Sequence, residues 1–170
     1  ASAILVEAGS GRVLYAHNAN EERAIASTTK IMTALVAAEL CNPEEILCVQ
    51  ADCVKIEGAS LYLEEKEQLT MLDMLYGLLL RSGNDAAAAI AKHVGGDINH
   101  FVSLMNQRAW ELGMHSTSFD NPHGLDNTGH YSTAYDMALL GAEFLKIPLL
   151  REICVTEEYI SRELTNGRER

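Results

Sequence analysis

Apolar positions along this chain fall into runs whose period changes from segment to segment. Residues 2 to 16 read as SAILVEA, a turn at Gly9-Ser10-Gly11, and RVLYA, which predicts a β-hairpin. A polar loop, HNANEERA, leads into IASTTKIMTALVAAEL, where only Thr33 and Glu39 are polar between Ile31 and Leu40. A helix apolar nearly all round is buried on every side, so this one is expected at the centre of the fold. Residues 43 to 69 have no clean period and predict loops with short strands. Thr70 with Asp73 forms a capping-box pattern that starts a helix through MLYGLLL. RSGND interrupts that helix, and DAAAAIAKHV resumes helically up to Gly95-Gly96.

Further along, Asp97 caps a helix whose apolar face is Phe101, Leu104, Met105, Ala109 and Leu112, ending at Gly113. SFDNPHGLDNTGHYS reads as a long polar loop. Thr133 with Asp136 opens a last helix along Ala134, Met137, Ala138, Gly141, Phe144 and Leu145, stopped by Pro148. The tail, ICVTEEYISRELTNGRER, carries strand-like Ile, Val and Tyr and then Asn166-Gly167, a strong hairpin-turn signal. A return strand would run past Arg170, so the natural protein is expected to continue. Strands, a block of helices and strands again predict an α+β fold.

The 170 residues suit one domain with a real core, and they contain no internal repeat or linker. With 48% apolar and 22% charged residues the chain reads as globular, and a net charge of −11 argues against nucleic acid as a partner. The longest apolar run, MLDMLYGLLL, is too short for a membrane span and carries Asp73. The chain opens on ASAILVEAGSGRVLYA without a basic leader; a removed leader would leave no trace, so the compartment stays open. Cys41, Cys48, Cys53 and Cys154 show no C-x-x-C pair and no metal-ligand spacing with the six histidines. They are expected to be packing residues or one disulfide, with no metal site.

The candidate chemistry lies where the apolar helix begins, at Ser27-Thr28-Thr29-Lys30. Residues three apart share one helix face, about 5–6 Å apart at Cβ. A serine at the first turn also sits in the positive field of the helix N-terminus, which favours a developing oxyanion. A neighbouring lysine can accept the hydroxyl proton only when neutral. Lowering its pKa from about 10.4 toward 7 costs roughly 4–5 kcal/mol, and burial supplies part of that shift. The arrangement fits a serine nucleophile with a lysine base. Taken alone, S-x-x-K is frequent by chance and equally fits an N-cap serine with a solvated lysine. Ser82-Gly83-Asn84 adds a second signal, because it places a polar turn between two apolar helical segments.

Together the two motifs resemble the penicillin-recognising serine enzymes, whose signatures are S-x-x-K, S-D-N and K-T-G. The resemblance is closest to the D-alanyl-D-alanine carboxypeptidases among the low-molecular-mass penicillin-binding proteins. It extends in order over AILVEAGSGRVLYAHNANEERAIASTTKIMTAL, LTMLDMLYGLLLRSGNDAAAAIAKHVGG and FVSLMNQRAWELGMHSTSFDNPHGLDNTGHYSTAYDMALL. The resemblance implies a β-lactamase/transpeptidase-like fold, an antiparallel sheet flanked by helices, with a helical subdomain at roughly residues 55–135 of a single domain. It implies Ser27 as the acylated nucleophile, Lys30 as the base, Ser82 as proton relay to the leaving amine, and Asn84 as a ligand to the substrate amide and to Lys30. The implied substrate is the D-Ala-D-Ala end of a peptidoglycan stem peptide, with β-lactams as covalent inhibitors. No metal or organic cofactor is implied. Action outside the cytoplasmic membrane is, and peripheral membrane association would use a C-terminal segment these residues do not include.

One motif is missing. No Lys-Thr-Gly occurs in these 170 residues, and in the family it lies on a strand that holds the substrate carboxylate and contributes an oxyanion N–H. The C-terminal strands of the sheet are expected beyond Arg170. Two rival functions share the fold. A serine β-lactamase would need a glutamate loop after Ser82 to activate water, whereas SFDNPHGLDNTGHYS offers Asp120 and Asp126 and no glutamate, and Glu163 lies downstream in a predicted strand. A non-catalytic peptidoglycan-binding protein would not need Ser27, Lys30, Ser82 and Asn84 all intact. A Ser-His-Asp triad of Ser27, His123 and Asp126 lacks any G-x-S-x-G elbow, and N-P-H-G-L reads as a turn that orders its loop. Ser60 reads as a strand-edge serine near the cleft.

Overall fold

The computed structural model describes residues 1–169. The first hairpin forms as the alternation predicts: β1 (Ala3–Val6) pairs antiparallel with β2 (Val13–His17), Ala3 opposite His17 and Leu5 opposite Tyr15. Glu7 orders the turn by accepting from the backbone N–H groups of Gly9 at 2.9 Å and Ser10 at 2.7 Å. Strand β1 leans on the helices, while Leu5, Val13, Leu14 and Tyr15 are exposed.

The apolar segment becomes α1 (Thr29–Leu40), preceded by a 3₁₀ turn at Ala26–Thr28. From Thr29 to Ala37 every residue except Ile31 is buried. Helix α1 packs against α2 (Met71–Leu80), α3 (Asn84–Gly95), α4 (Ile98–Glu111), α5 (Ala134–Phe144) and α6 (Pro148–Val155), the central position its pattern demanded. Met32, Leu35, Met74, Leu75, Ile90 and Phe101 meet around it, each at 0% exposure; such side chains contribute about 1.5–3 kcal/mol apiece.

Local signals set the ends of these helices. Asp73 N–H donates to Thr70 Oγ1 at 3.1 Å and Thr70 N–H donates to Asp73 Oδ2 at 3.1 Å, a complete capping box on α2. Asp97 caps α4 by accepting from His100 N–H at 2.9 Å, and Gly113 beyond that helix takes a φ of 81°. A second antiparallel pair, β3 (Ile46–Cys48) with β4 (Gln68–Thr70), fills the aperiodic region.

The tail departs from its predicted form. Pro148 does not stop the preceding helix, which ends at Phe144; it opens α6 as the first helical residue, where its fixed φ and missing N–H suit a helix start. Ile153, Cys154 and Val155 are therefore helical, because burial of Leu150 and Ile153 at i and i+3 outweighs β-branched propensity. Residues 156–161 form no strand. The Asn166-Gly167 turn does form, with Arg162 bridging Glu169 and Gly167 at a φ of 74°. Tyr159 stacks flat on Tyr76, centroids 3.6 Å apart, and donates its hydroxyl to Asp73 Oδ1 at 2.9 Å.

The capping box gives a direct stability test. Thr70→Ala is expected to lose about 1 kcal/mol in urea unfolding. An unchanged midpoint would mean that Tyr159 alone suffices to hold Asp73 in place.

Candidate active site

Ser27 lies in the 3₁₀ turn and not in the first turn of α1, one step earlier than its spacing predicts. Ala26 causes the offset: its φ of 44° bends the chain, and its carbonyl accepts from Thr29 Oγ1 at 2.8 Å. Ser27 still shares a face with Lys30, whose Nζ stands 3.2 Å from Ser27 Oγ. The positive end of α1 faces the same point.

Lys30 is 2% exposed. Its Nζ also donates to Asn84 Oδ1 at 2.7 Å and to the His123 carbonyl at 2.6 Å. Burial lowers its pKa to about 8. Neither of the latter two oxygens can donate in return. A neutral amine therefore keeps both N–H bonds on Asn84 and His123, and its lone pair turns toward the Ser27 hydroxyl. The geometry permits proton transfer from Ser27 to Lys30 without any rearrangement of the partners.

Asn84, the first residue of α3, is fixed from both sides. Its N–H donates to the Ala59 carbonyl at 2.8 Å and its Nδ2 to the Glu57 carbonyl at 2.6 Å, which leaves Oδ1 facing Lys30. Gly58 has a φ of 94°, and a Cβ there would stand 2.8 Å from Asn84 Nδ2. The buried Asp85 secures this loop by accepting from Ser60 Oγ at 2.6 Å, Leu61 N–H at 3.0 Å and Leu63 N–H at 3.1 Å. Ser60 is thus a loop anchor and not a strand-edge residue.

Ser82 takes a φ of 56° in the turn between α2 and α3. It lines a cleft of about 290 Å³ together with Ser27, Lys30 and Leu79. Among the described residues no hydrogen bond joins its hydroxyl to Ser27 or Lys30. A larger cavity of about 610 Å³, between α2 and the tail, includes none of Ser27, Lys30, Ser82 and Asn84. The smaller cleft is the candidate site, because Ser27, Lys30 and Ser82 all line it.

The loop at residues 121–125 does more than its sequence suggested. Pro122 offers its carbonyl to Thr33 Oγ1 at 2.6 Å, and His123 offers its own to Lys30. Asn121 Oδ1 ties the loop by accepting from Gly124 N–H at 2.7 Å. Gly124, at a φ of 90°, lies so close to the Ala26 carbonyl that any side chain would collide with it. Burial, the Lys30 charge and His130 push the His123 imidazole down to about 4, and its Nδ1 accepts from Leu125 N–H at 3.2 Å. His123 works through its backbone, so no Ser-His-Asp triad is assembled. His130 takes a supporting place: Asp120 N–H donates to its Nδ1 at 3.0 Å, which puts the ring proton on Nε2, 2.6 Å from Thr29 Oγ1.

Glu163 is equally committed elsewhere. Burial works against its charge, but hydrogen bonds from Thr165, Gln68 and Asn166 outweigh it and hold the carboxyl at about 2. It clasps the tail to β4 and sits in a turn, not in the predicted strand.

Residues 1–167 match the family described as D-alanyl-D-alanine carboxypeptidase. The chain belongs to that family. It is 41% identical over 170 residues to the D-alanyl-D-alanine carboxypeptidase DacF of Bacillus subtilis, covering 97% of this chain and 44% of the relative. To DacC of Escherichia coli it is 38% identical over 149 residues, 81% of this chain and 37% of the relative. The chain thus spans under half the length of these relatives. Among solved structures it resembles the DacD carboxypeptidase of Francisella tularensis, with a TM-score of 0.87 and 30% identity over 89% of this chain and 38% of that one. It also resembles penicillin binding protein 6B of Escherichia coli, with a TM-score of 0.91 and 29% identity over 100% of this chain and 56% of that one. The α+β fold expected from the sequence is the fold of these enzymes.

The titration of Lys30 has a signed consequence. Its folded value of about 8 lies below the ordinary 10.5. Below pH 8 the amine is charged in both states, and the folded state bears the burial penalty. Between pH 8 and 10.5 the unfolded chain holds the proton and the folded chain has released it, so Lys30 adds stability as pH rises. Urea unfolding of wild type and Lys30→Met across that window is expected to differ in slope, the wild type rising faster. Equal slopes would place the Lys30 titration elsewhere.

Proposed function

We propose that the protein is a serine D-Ala-D-Ala carboxypeptidase that removes the terminal D-Ala of peptidoglycan stem peptides through an acyl-enzyme on Ser27. The observation that carries this reading is the buried Lys30 amine, 3.2 Å from Ser27 Oγ and held from behind by two acceptors. Lys30 in its neutral form takes the Ser27 proton as Oγ attacks the carbonyl of the penultimate D-Ala. The oxyanion that develops lies at the positive end of α1. Ser82, across the cleft, relays the proton to the departing D-Ala amine, and Asn84 holds the substrate amide while keeping Lys30 in place. Water then releases the shortened peptide and regenerates Ser27. A β-lactam acylates the same hydroxyl, but its amine stays tethered after ring opening and the adduct persists.

Peptidoglycan as substrate implies action outside the cytoplasmic membrane. No helix among the described residues is long and apolar enough to cross a membrane. A β-lactamase reading has less support, because the loop after Ser82 carries no glutamate and Glu163 is occupied by backbone N–H groups.

Benzylpenicillin followed by peptide mapping is expected to place one stable adduct, on Ser27. A label on Ser82 or Ser60 would overturn the assignment. Lys30→Arg should slow acylation by roughly 10²–10⁴-fold, since a guanidinium cannot serve as the base; near-normal acylation would remove Lys30 from that role.

Residues 1–170 contain no Lys-Thr-Gly, so D-Ala release is best compared between this polypeptide and one that also carries such a strand. The longer polypeptide should release D-Ala from a D-Ala-D-Ala peptide. The shorter one should be slower by at least about 10²–10³-fold, the effect of one lost oxyanion donor. Equal turnover, with folding checked by circular dichroism, would mean that the working site needs nothing beyond Arg170.

A further inference from the structure

Helices α1 and α3 meet twice. Near their N-terminal ends Lys30 and Asn84 are joined by the 2.7 Å hydrogen bond of the active site. At their C-terminal ends three side chains of different metal-binding type converge: Cys41, which caps α1; Glu45, in the turn that follows; and His93, in the last turn of α3. One ligand atom from each lies within 4.8 Å of the other two. His93 Nε2 and Glu45 Oε1 are 2.7 Å apart.

The backbone under this cluster is fixed. Cys41 N–H donates to the Ala37 carbonyl at 3.0 Å, Glu45 N–H to the Asn42 carbonyl at 3.0 Å, and the Glu45 carbonyl accepts from Met71 N–H at 2.7 Å. The His93 and Glu45 side chains are 24% and 46% exposed, which leaves an entry path from solvent. A tetrahedral zinc ion with ordinary Zn–S and Zn–N bond lengths needs its ligand atoms about 3.4–3.6 Å apart. With the three atoms within 4.8 Å of one another and two of them 2.7 Å apart, adjustments on the order of 1 Å separate them from that spacing. Thiolate, imidazole and carboxylate together favour a borderline-soft cation over Mg²⁺ or Ca²⁺, which prefer oxygen alone.

We propose that Cys41, Glu45 and His93 bind one Zn²⁺, with water as the fourth ligand, and that the ion pins the C-terminal ends of α1 and α3 together. Sequence spacing does not reveal the site, because His93 comes from 48 residues beyond Glu45. The ion would brace the same two helices whose other ends carry Lys30 and Asn84, at a distance from the reacting atoms. The ion would bind the folded chain and stabilise it, because the unfolded chain has no such convergence.

Calorimetric titration of the protein with zinc chloride is expected to give one site per chain. Co²⁺ in place of Zn²⁺ should give a thiolate-to-metal charge-transfer band with tetrahedral d–d absorption. Cys41→Ser should abolish the band, whereas Cys48→Ser and Cys154→Ser should keep it. His93→Gln and Glu45→Gln should each weaken binding by at least about tenfold, the range over which ligand and outer-shell changes act. Free Zn²⁺ at 100 times its dissociation constant should shift the wild-type unfolding equilibrium by about 100-fold, and leave Cys41→Ser nearly unmoved. Circular dichroism confirms that each variant is folded. Absence of binding, a band that survives Cys41→Ser, or one that follows Cys48 or Cys154 would each overturn the proposal.

Discussion

A lysine amine enclosed by oxygen atoms, at the mouth of a helix with almost no polar surface, is the constraint on which this site depends. An ammonium taken out of water is expensive unless every proton finds an acceptor. Lys30 finds three, in Ser27, Asn84 and His123. Only one of them has a proton to give back. The same enclosure that makes the charged form costly therefore also aims the neutral form at Ser27. Depressed pKa and direction come from a single packing arrangement.

Helices α1 and α3 carry Lys30 and Asn84, and loops complete the arrangement through main-chain carbonyls. The carbonyls of Glu57 and His123 set Asn84 and Lys30, and the carbonyl of Ala26 receives Thr29. Such groups serve only if their loops are rigid, and each loop has its own fastener. Asp85 gathers Ser60, Leu61 and Leu63; Asn121 closes its turn on Gly124; His130 links Asp120 to Thr29. The left-handed backbones of Ala26 and Ser82 carry a cost of about 1–3 kcal/mol each. Ala26 precedes Ser27 and Ser82 lines the cleft, so the strain sits beside the residues that face it.

What the sequence disclosed follows from where information is held in side-chain type. The central helix, the capping residues Thr70, Asp97 and Thr133, and the pairing of Ser27 with Lys30 are all written in residue identity and period, and each was legible. The role of the 121–125 loop was not. Asn121-Pro122-His123-Gly124 announced a turn, yet its contribution to Lys30 is a carbonyl, which any residue possesses. The tail misled for a related reason. Ile153 and Val155 favour strands locally, but Pro148 suits a helix start and the burial of Leu150 and Ile153 decides the outcome. The convergence of Cys41, Glu45 and His93 is likewise a product of how α1 and α3 pack, and no spacing in the chain encodes it.

The energetics of Lys30 are not those of a lysine placed for stability. A lysine placed for stability lies on the surface or meets a carboxylate, and its pKa stays put or rises. Lys30 meets only neutral oxygens, and burial alone drives it down to about 8. At neutral pH it is mostly charged, so the fold carries the full burial penalty and gains no ion pair in exchange. An apolar side chain of similar length at this position would relieve that penalty and leave α1 more uniformly packed. Such a substitution would lose the lone pair aimed at Ser27. A buried lysine with no ion pair therefore costs stability, and what it leaves in the fold is a group that can accept a proton near neutral pH.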